Sequence, residues 1–346
     1  IGRAERPLLW IGGGGRQARA ELLELAELAG TPVLTSNAGR GSIREDHQQV
    51  IGNFAVSPAA RDLITDADLL IGVGTHYRAS ETEDFGLPLP RQHVQVDVDP
   101  LAIGRNYPAT VGLAGDATAT VAALLDLLRG RELGVAPGWT ARGSAVRQDV
   151  RKHQRAAIGP YAQINDSIRM NLPQDAVIAR DVTVPSSSWG NRLLEIYHPA
   201  TNIYPLGGGI GQGLAMGIGA AAARPDAPTV VIAGDGGLSV HIGEMATLAQ
   251  QRPWLVLIVF NDGGYGVLRS LQEQHGKRHS GVDLLSFDFG HVAASVGIGH
   301  RLVRAAGDFD EALAGALAER GPSVVEVDMT AIGPMPRPFV PPLPVP

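Results

Sequence analysis

Short apolar runs that alternate with helix-like segments are the feature that most constrains the fold of this chain. Such runs are typical of strands in a parallel sheet, because helices cover both faces of that sheet. The predicted strands are Pro7–Ile11, Pro32–Thr35, Asp68–Val73, His93–Val98, Val177–Asp181, Thr229–Ala233, Leu255–Phe260 and Ser323–Val327. The predicted helices are Arg16–Ala29, Pro58–Thr65, Thr118–Leu128, the small-residue stretch that ends Gly207–Ala223, and His241–Gln250. The pattern predicts an α/β protein with two doubly wound parallel-sheet domains.

The alternating pattern loosens once along the 346 residues, and this divides the chain. We predict a Rossmann-like domain over residues 1–130, a linker over 131–160 and a second α/β domain over 161–332. Residues 333–346 are too rich in proline for a helix or a central strand, so we predict an extended tail.

Composition narrows the classes of protein to which the chain can belong. The net charge is −6 and no basic stretch is present, which argues against a nucleic-acid partner. No apolar run approaches the roughly 20 residues that span a bilayer, so we expect no membrane association. Because the chain has no cysteine, disulfides and thiolate metal sites are excluded, and a cytoplasmic location is expected.

A glycine run, Gly12–Gly15, follows the first predicted strand and has two interpretations. Glycines there let the backbone approach a pyrophosphate at the start of a helix, as in dinucleotide-binding proteins. The acidic residue expected about 20 positions later is absent, since Thr35–Asn37 stand there. A tight turn is the favoured interpretation; if a nucleotide binds, FAD or ADP is preferred to NAD.

Two acidic loops in the second domain carry a sharper signal. Asp235 lies in a Gly-Asp-Gly-Gly sequence after one predicted strand, and Asp262 lies in Asn-Asp-Gly-Gly-Tyr-Gly after the next. Open α/β sheets bind ligands at the carboxyl ends of their strands. Two carboxylates that meet there suit a hard divalent cation, and flanking glycine amides suit a diphosphate. A single such acid would be read as a helix cap or turn residue, but the pair favours a cation site.

At these residues the chain resembles the thiamine-diphosphate enzymes of the acetolactate synthase, pyruvate oxidase and benzoylformate decarboxylase group. The resemblance rests on GDGGLSVHIGEMATLAQQRPWLVLIVFNDGGYGVLR, in which Asp262 follows Asp235 by 27 positions. It implies that the first domain is the family's central domain and the second its diphosphate-binding domain. It also implies that Mg²⁺ binds the side chains of Asp235 and Asp262 and the carbonyl of Gly264. The family usually has Asn at the position of Asp262, so an additional negative charge is present here.

The same resemblance assigns further cofactor contacts. GGGIGQGLAMGIGAA resembles the segment that supports the bent cofactor, with Ile210 between the two rings, where the alternative is a core aliphatic residue. RDVTVPSSSWG resembles the strand-end loop that touches the diphosphate, and its spacing to Trp189 resembles the benzoylformate decarboxylase branch. The implied cofactor-binding residues are Val182, Thr183, Gly208, Gly209, Ile210, Gly211, Gly234, Asp235, Gly236, Gly237, Asp262, Gly264, Tyr265 and Gly266.

Several other polar residues are weaker candidates. His275 and His279 lie where the family often has a segment that covers the active site, and either is a candidate proton shuttle, as is His241. Solvated loop histidines are the alternative for all three. Glu244 is interpreted as a structural helix residue. Arg78 stands where flavin-binding relatives contact FAD, but its surroundings depart from that pattern, so a flavin is not favoured.

The resemblance implies decarboxylation or carboligation of a 2-oxo acid. The glutamate that activates the cofactor belongs, in the family, to a pyrimidine-binding domain of the neighbouring subunit, and nothing here resembles that domain. We therefore expect it to come from a missing N-terminal region or a partner subunit, and we expect a homodimer or homotetramer. Two alternatives remain open: a non-catalytic cofactor-binding or regulatory module of the same fold, and a nicotinamide-dependent oxidoreductase that uses Gly12–Gly15.

Overall fold

The computed structural model describes residues 1–276, 278–285 and 287–339. Two compact units divide them: the first comprises Ile1–His153 with Glu195–Pro199, and the second comprises Gln154–Leu194 with the described residues from Ala200 onward. No helix in the described part of the chain is both long enough and apolar enough to cross a lipid bilayer.

The first unit is built on one parallel sheet. Its described strands are β1 (Pro7–Ile11), β2 (Val33–Thr35), β3 (Val50–Gly52), β4 (Leu69–Val73), β5 (Gln92–Asp97) and β6 (Val111–Ala114). Their order is β3-β2-β1-β4-β5-β6, and every pairing is parallel. The accompanying helices are α1 (Arg19–Leu28), α2 (Pro58–Asp66), α3 (Ala117–Leu128) and the larger part of α4 (Trp139–Ile158), whose residues from Gln154 onward belong to the second unit. Strands β1 and β4 are buried along their whole length, as expected for a sheet covered on both faces.

The second unit repeats this plan. Its described strands are β7 (Val177–Arg180), β8 (Asn202–Ile203), β9 (Thr229–Gly234), β10 (Leu255–Asn261), β11 (Gly299–Val303) and β12 (Ser323–Asp328), in the parallel order β11-β12-β10-β9-β7-β8. Its helices are α5 (Tyr161–Asn171), α6 (Gly213–Ala223), α7 (Asp235–Val240), α8 (Glu244–Gln251), α9 (Gly266–His275), α10 (Phe289–Ser295), α11 (Phe309–Ala318) and α12 (Met329–Ile332). The predicted α/β class with two doubly wound parallel sheets is therefore confirmed.

The structure adds local detail to several predictions. The predicted helix His241–Gln250 corresponds to α8, which begins at Glu244, and a short additional helix, α7, precedes it because the chain becomes helical directly at Asp235. Helix α4 occupies most of residues 131–160, and the linker role of this stretch stays a prediction. In the predicted tail, the described residues 333–339 form neither helix nor strand, and residues 340–346 lie outside the described residues.

Close packing positions the second sheet under α6. A side chain on Gly217 would place its Cβ 2.2 Å from Cγ2 of Val231 on β9, so the helix can lie against the sheet only with glycine there. Leu214 and Ile218 add buried apolar contacts on the same helix. The small-residue composition of α6 thus fixes the height of the helix above β7 and β9.

Candidate functional site

Three acidic residues lie where three neighbouring strands of the second sheet end. Asp181 directly follows β7, Asp235 directly follows β9, and Asp262 directly follows β10. The strand order reverses at β7 and β9, since β8 lies on one side of β7 and β9 on the other. Ligands of open α/β sheets bind at such a reversal, beyond the carboxyl ends of the strands.

The structure brings Asp235 and Asp262 together. The backbone N–H of Asp262 faces Oδ1 of Asp235 at 3.4 Å. Burial, with a second contribution from the negative charge of Asp262, raises the pKa of the Asp235 carboxyl to about 6. Burial also raises the pKa of Asp262, although Arg269 acts in the opposite direction. Two carboxylates that are both costly to ionise share this end of the sheet.

One carboxylate oxygen of this pair is without a partner. Oδ1 of Asp262 is buried and makes no hydrogen bond within the described residues. An acceptor that is buried and unsatisfied costs free energy on the order of 1–3 kcal/mol, which a bound cation would offset. The donor set therefore fits a hard cation such as Mg²⁺, which prefers oxygen ligands.

The carbonyl of Gly264 reaches the same place. A Cβ on Gly236 would lie 2.8 Å from the Gly264 oxygen and 2.8 Å from the Tyr265 ring. The first turn of α7 and the loop after β10 therefore pack against each other with no room for a side chain on Gly236. A third oxygen atom is thus placed beside the helix turn that carries Asp235.

Arg269 on α9 holds the loop from Asp262 to Gly266 through hydrogen bonds. Its guanidinium donates to the carbonyl of Asp262 at 3.3 Å and to the carbonyl of Gly263 at 3.4 Å. Its Nε donates to Asp283 at 3.0 Å. The room at Gly266 is limited as well, because a Cβ there would lie 1.9 Å from Oδ2 of Asp262.

Asp181 is a further candidate site residue, which the sequence analysis did not select. Its two carboxylate oxygens accept the backbone N–H of Gly211 at 3.0 and 2.9 Å. Burial raises the pKa of Asp181, and backbone donors, among them Val182 and Gly211, act against that rise. Only part of the signal that selected Asp235 and Asp262 applies to Asp181, because Asp181 follows a buried strand but has no glycine beside it.

The remaining predicted cofactor residues lie around these three acids. Val182 and Thr183 follow Asp181, and a Cβ on Gly234 would lie 2.6 Å from Oγ1 of Thr183. Gly237 lies beside Asp181, since its Cβ would be 3.2 Å from Oδ2 of that residue. The loops after β7 and β9 therefore pack against each other at this end of the sheet.

The glycine-rich turn before α6 presents Ile210 to solvent. Ile210 is 38% exposed, so it is not a core aliphatic residue. Gly208 has a φ of 72° and Gly211 a φ of 84°, both in the region that favours glycine. Gly209 lies between Gly208 and Ile210. An exposed aliphatic side chain held on a glycine turn is suited to contact a ligand, and the ring-wedge role remains a prediction.

The histidine candidates are spread over the unit. His275 is the last residue of α9, about 14 Å along the helix from Gly266, and its Nδ1 bonds to the carbonyl of Leu271 at 2.9 Å. His279 bonds to Glu273 at 3.1 Å. His241 lies nearer to the predicted cofactor residues, because its Nδ1 bonds to the carbonyl of Gly211 at 3.0 Å. The proton-shuttle roles of His275 and His279 remain predictions.

The glycine run of the first unit has a packing explanation. A Cβ on Gly12 would lie 2.1 Å from the carbonyl oxygen of Gly74, and one on Gly14 would lie 2.8 Å from the Gly74 Cα. Gly74 itself has a φ of 59°. These contacts join the loops after β1 and β4, so tight packing alone accounts for the glycines.

Across the described ranges, no group of three or more His, Cys, Asp or Glu side chains is arranged to hold a metal ion. The pair Asp235 and Asp262 would need further ligands from backbone carbonyls, a phosphate or water. That requirement matches the usual coordination of Mg²⁺, in which one or two carboxylates combine with phosphate oxygens and water.

Comparison with known proteins gives the same family for both units. Residues 1–124 match the central domain of thiamine pyrophosphate enzymes. Residues 184–327 match the C-terminal, thiamine pyrophosphate-binding domain of the same enzymes. The second match contains Asp235, Asp262 and the glycine loops beside them.

Individual curated proteins that resemble this chain are consistent with the two domain matches. A probable 2-ketoarginine decarboxylase of Pseudomonas aeruginosa is 32% identical over 78% of this chain and 48% of its own length. A probable acetolactate synthase large subunit of Methanocaldococcus jannaschii is 27% identical over 94% and 58%. A pyruvate oxidase of Lactiplantibacillus plantarum is 25% identical over 96% and 56%. The chain thus spans about half the length of these curated relatives, and it belongs to the thiamine pyrophosphate enzyme family.

Proposed function

We propose that the protein carrying this chain is a Mg²⁺- and thiamine-diphosphate-dependent enzyme that decarboxylates or carboligates a 2-oxo acid. The observation that carries the proposal is the meeting of Asp235, Asp262 and the Gly264 carbonyl at the ends of β9 and β10. These oxygens would hold Mg²⁺, and the unpartnered Oδ1 of Asp262 supports that role.

The diphosphate would bind beside this cation. Backbone N–H groups of Gly236, Gly237 and Gly266 would donate to its oxygens, as glycine-lined turns do in other phosphate sites. Tyr265, Val182 and Thr183 would complete the contacts. The cation would neutralise the diphosphate charge that the two carboxylates would otherwise repel.

The ring end of the cofactor would lie against Ile210. The Asp181 carboxylate accepts the backbone N–H of Gly211, and this contact anchors the turn that carries Ile210. When bound, thiamine diphosphate supplies an electron sink for cleavage of the bond next to the carbonyl of a 2-oxo acid. The role of this chain is to hold and orient the cofactor.

The relatives guide the choice of substrate and partner. Their names refer to 2-ketoarginine, acetolactate and pyruvate, so we propose a small 2-oxo acid as substrate. We also propose that a pyrimidine-binding domain, supplied by another region or by a partner subunit, completes the site in a homodimer or homotetramer. Close packing at Gly12 and Gly74 gives no support to a flavin, and none is proposed.

The proposal is tested by titrating the full-length protein with thiamine diphosphate, with Mg²⁺ or with EDTA. We expect binding that requires Mg²⁺, loss of binding in Asp235→Ala, and unchanged binding in the control Asp226→Ala, whose carboxylate is exposed. Release of carbon dioxide from pyruvate, benzoylformate and 2-ketoarginine then identifies the substrate.

Undiminished binding in Asp235→Ala would contradict the proposal. Cofactor binding with no turnover of any 2-oxo acid would favour the non-catalytic alternative, and binding of NAD in place of thiamine diphosphate would favour the oxidoreductase.

A further inference from the structure

We infer that Glu326 is a positioning residue for the magnesium loop, Asp262–Gly266, and that it acts through Asn261. This inference rests on the proposed function, because the loop that Glu326 would position is the loop proposed to bind Mg²⁺. Glu326 and Asn261 themselves would touch neither the cation nor the cofactor. It concerns a row of three polar side chains on the neighbouring strands β10, β12 and β11, here named the Asn261–Glu326–His300 row.

The row is held by short hydrogen bonds. Nδ2 of Asn261 donates to Oε1 of Glu326 at 2.8 Å, and Nε2 of His300 lies 2.8 Å from Oε2 of Glu326. Glu326 is only 9% exposed, so both of its oxygens depend on these partners. His300 therefore fixes the carboxylate from one side, and the carboxylate fixes Asn261 from the other.

The chemistry of the carboxylate decides which way the Asn261 amide points. An ionised carboxylate can only accept hydrogen bonds, whereas an amide has one donating and one accepting end. Glu326 therefore selects the Nδ2 end of Asn261 and leaves Oδ1 on the side of the loop. There Oδ1 accepts the backbone N–H of Gly263 at 3.2 Å.

That last bond determines the path of the loop. Asn261 and Gly263 flank Asp262, so the bond closes a turn around a proposed magnesium ligand. Gly263 has a φ of 79°, a conformation that needs glycine. The next residue, Gly264, then offers its carbonyl beside Gly236. An amide of opposite orientation would face Gly263 with an N–H group and would open the turn.

Glu326→Gln separates this role from a merely structural one. The new side chain has almost the same shape, but its amide can donate to Oδ1 of Asn261 and reverse the Asn261 amide. We expect the apparent dissociation constant for Mg²⁺ at saturating thiamine diphosphate to rise roughly 10- to 100-fold. Intrinsic fluorescence and calorimetry on the full-length protein would report binding directly, without turnover.

A second variant makes the test independent of folding. Glu326→Gln combined with Asn261→Asp restores a donor–acceptor pair and returns an acceptor to Gly263, so we expect the double variant to recover Mg²⁺ affinity to within about threefold, measured at pH 8. Asn261→Asp alone would place two carboxylates together and should weaken binding. The control Glu319→Gln alters an exposed carboxylate paired with Arg301 and should leave affinity unchanged.

The outcomes are distinct. Unchanged Mg²⁺ affinity in Glu326→Gln, or losses in the two single variants that simply add in the double variant, would overturn the inference. If Asp235→Ala still abolishes binding in that case, the proposed function stands and only the positioning role fails. Wild-type protein that does not bind Mg²⁺ and thiamine diphosphate would overturn both.

Discussion

The two units have parallel sheets of the same kind, but different residues follow the strands at the point where the strand order reverses. In the first unit, Gly12 directly follows β1 and Gly74 directly follows β4, and the two loops pack so closely that a Cβ on Gly12 would lie 2.1 Å from the Gly74 carbonyl oxygen. In the second unit, Asp181 directly follows β7 and Asp235 directly follows β9, and both are 3% exposed. Backbone atoms therefore fill the reversal in the first unit, whereas buried carboxyl groups occupy it in the second. The comparison teaches that the fold supplies the place and that the residues at the strand ends supply the chemistry.

The largest expected effect separates two acids at strand ends, one in each unit. Asp235→Ala should weaken Mg²⁺-dependent binding of thiamine diphosphate more than about 100-fold, because it removes a charged ligand. Asp97→Ala removes a buried acid at the end of β5 and should lower stability while cofactor affinity stays unchanged. Equilibrium titration of both variants checks this, and equal losses of affinity would erase the distinction between the units.

The second effect concerns the free energy of unfolding that is lost when the buried Asp235 carboxyl ionises in the cofactor-free protein. The folded-state pKa of Asp235 is about 6, above its ordinary value of 3.8, so the folded state holds the proton more strongly. Stability from this group is complete below about pH 4 and is lost as the pH rises through about 6. Asp235→Asn should therefore stabilise the cofactor-free protein at pH 7 by about 3 kcal/mol. Thermal unfolding from pH 4 to pH 7 tests it, and a pH-independent difference would contradict it.

The third effect compares glycines in the two units. Gly12→Ala should lower the free energy of unfolding by about 2–3 kcal/mol, because its Cβ meets the Gly74 carbonyl, and should leave cofactor affinity unchanged. Gly236→Ala would press on the Gly264 carbonyl and should weaken Mg²⁺ binding about tenfold. Unfolding and binding curves for both variants check the pair; weaker cofactor binding in Gly12→Ala would place a ligand in the first unit as well.

The smallest effect concerns the extra charge of the second acid. Asp262→Asn keeps an oxygen ligand and removes one negative charge, so we expect its Mg²⁺ affinity to fall only about three- to tenfold. The Mg²⁺ affinity of Asp262→Ala should fall much further, because that variant loses the oxygen ligand. Magnesium titrations at constant thiamine diphosphate check this. A larger loss in Asp262→Asn than in Asp262→Ala would contradict the assignment of this residue as an oxygen ligand.

Local sequence signals predicted the strands that frame the site. Buried apolar runs such as Leu255–Asn261 differ little from the predicted ranges, because full burial leaves a continuous hydrophobic signal. Strand β6 was missed because its residues are largely exposed, and β8 was missed because it has only two residues. The acids after β9 and β10 were predictable because each directly follows such a run.

Contacts between residues far apart in the chain could not be predicted from the sequence. Asn261 meets Glu326 across 65 positions, and His300 reaches the same carboxylate from β11, so only the pairing of β10, β12 and β11 assembles the row. Asp181 and Gly211 are likewise joined only where the loop after β7 meets the turn before α6. No periodicity in the chain encodes these pairings.

The central claim is that Asp235 and Asp262 hold one cation together. A crystal structure of the full-length protein grown with thiamine diphosphate and Mn²⁺ in place of Mg²⁺ tests it most directly, through the anomalous signal of the metal. We expect a single peak about 2.1 Å from a carboxylate oxygen of each residue and from the Gly264 carbonyl, with the diphosphate as a further ligand. A peak bound to only one of the two acids, or a metal elsewhere in the protein, would contradict the claim.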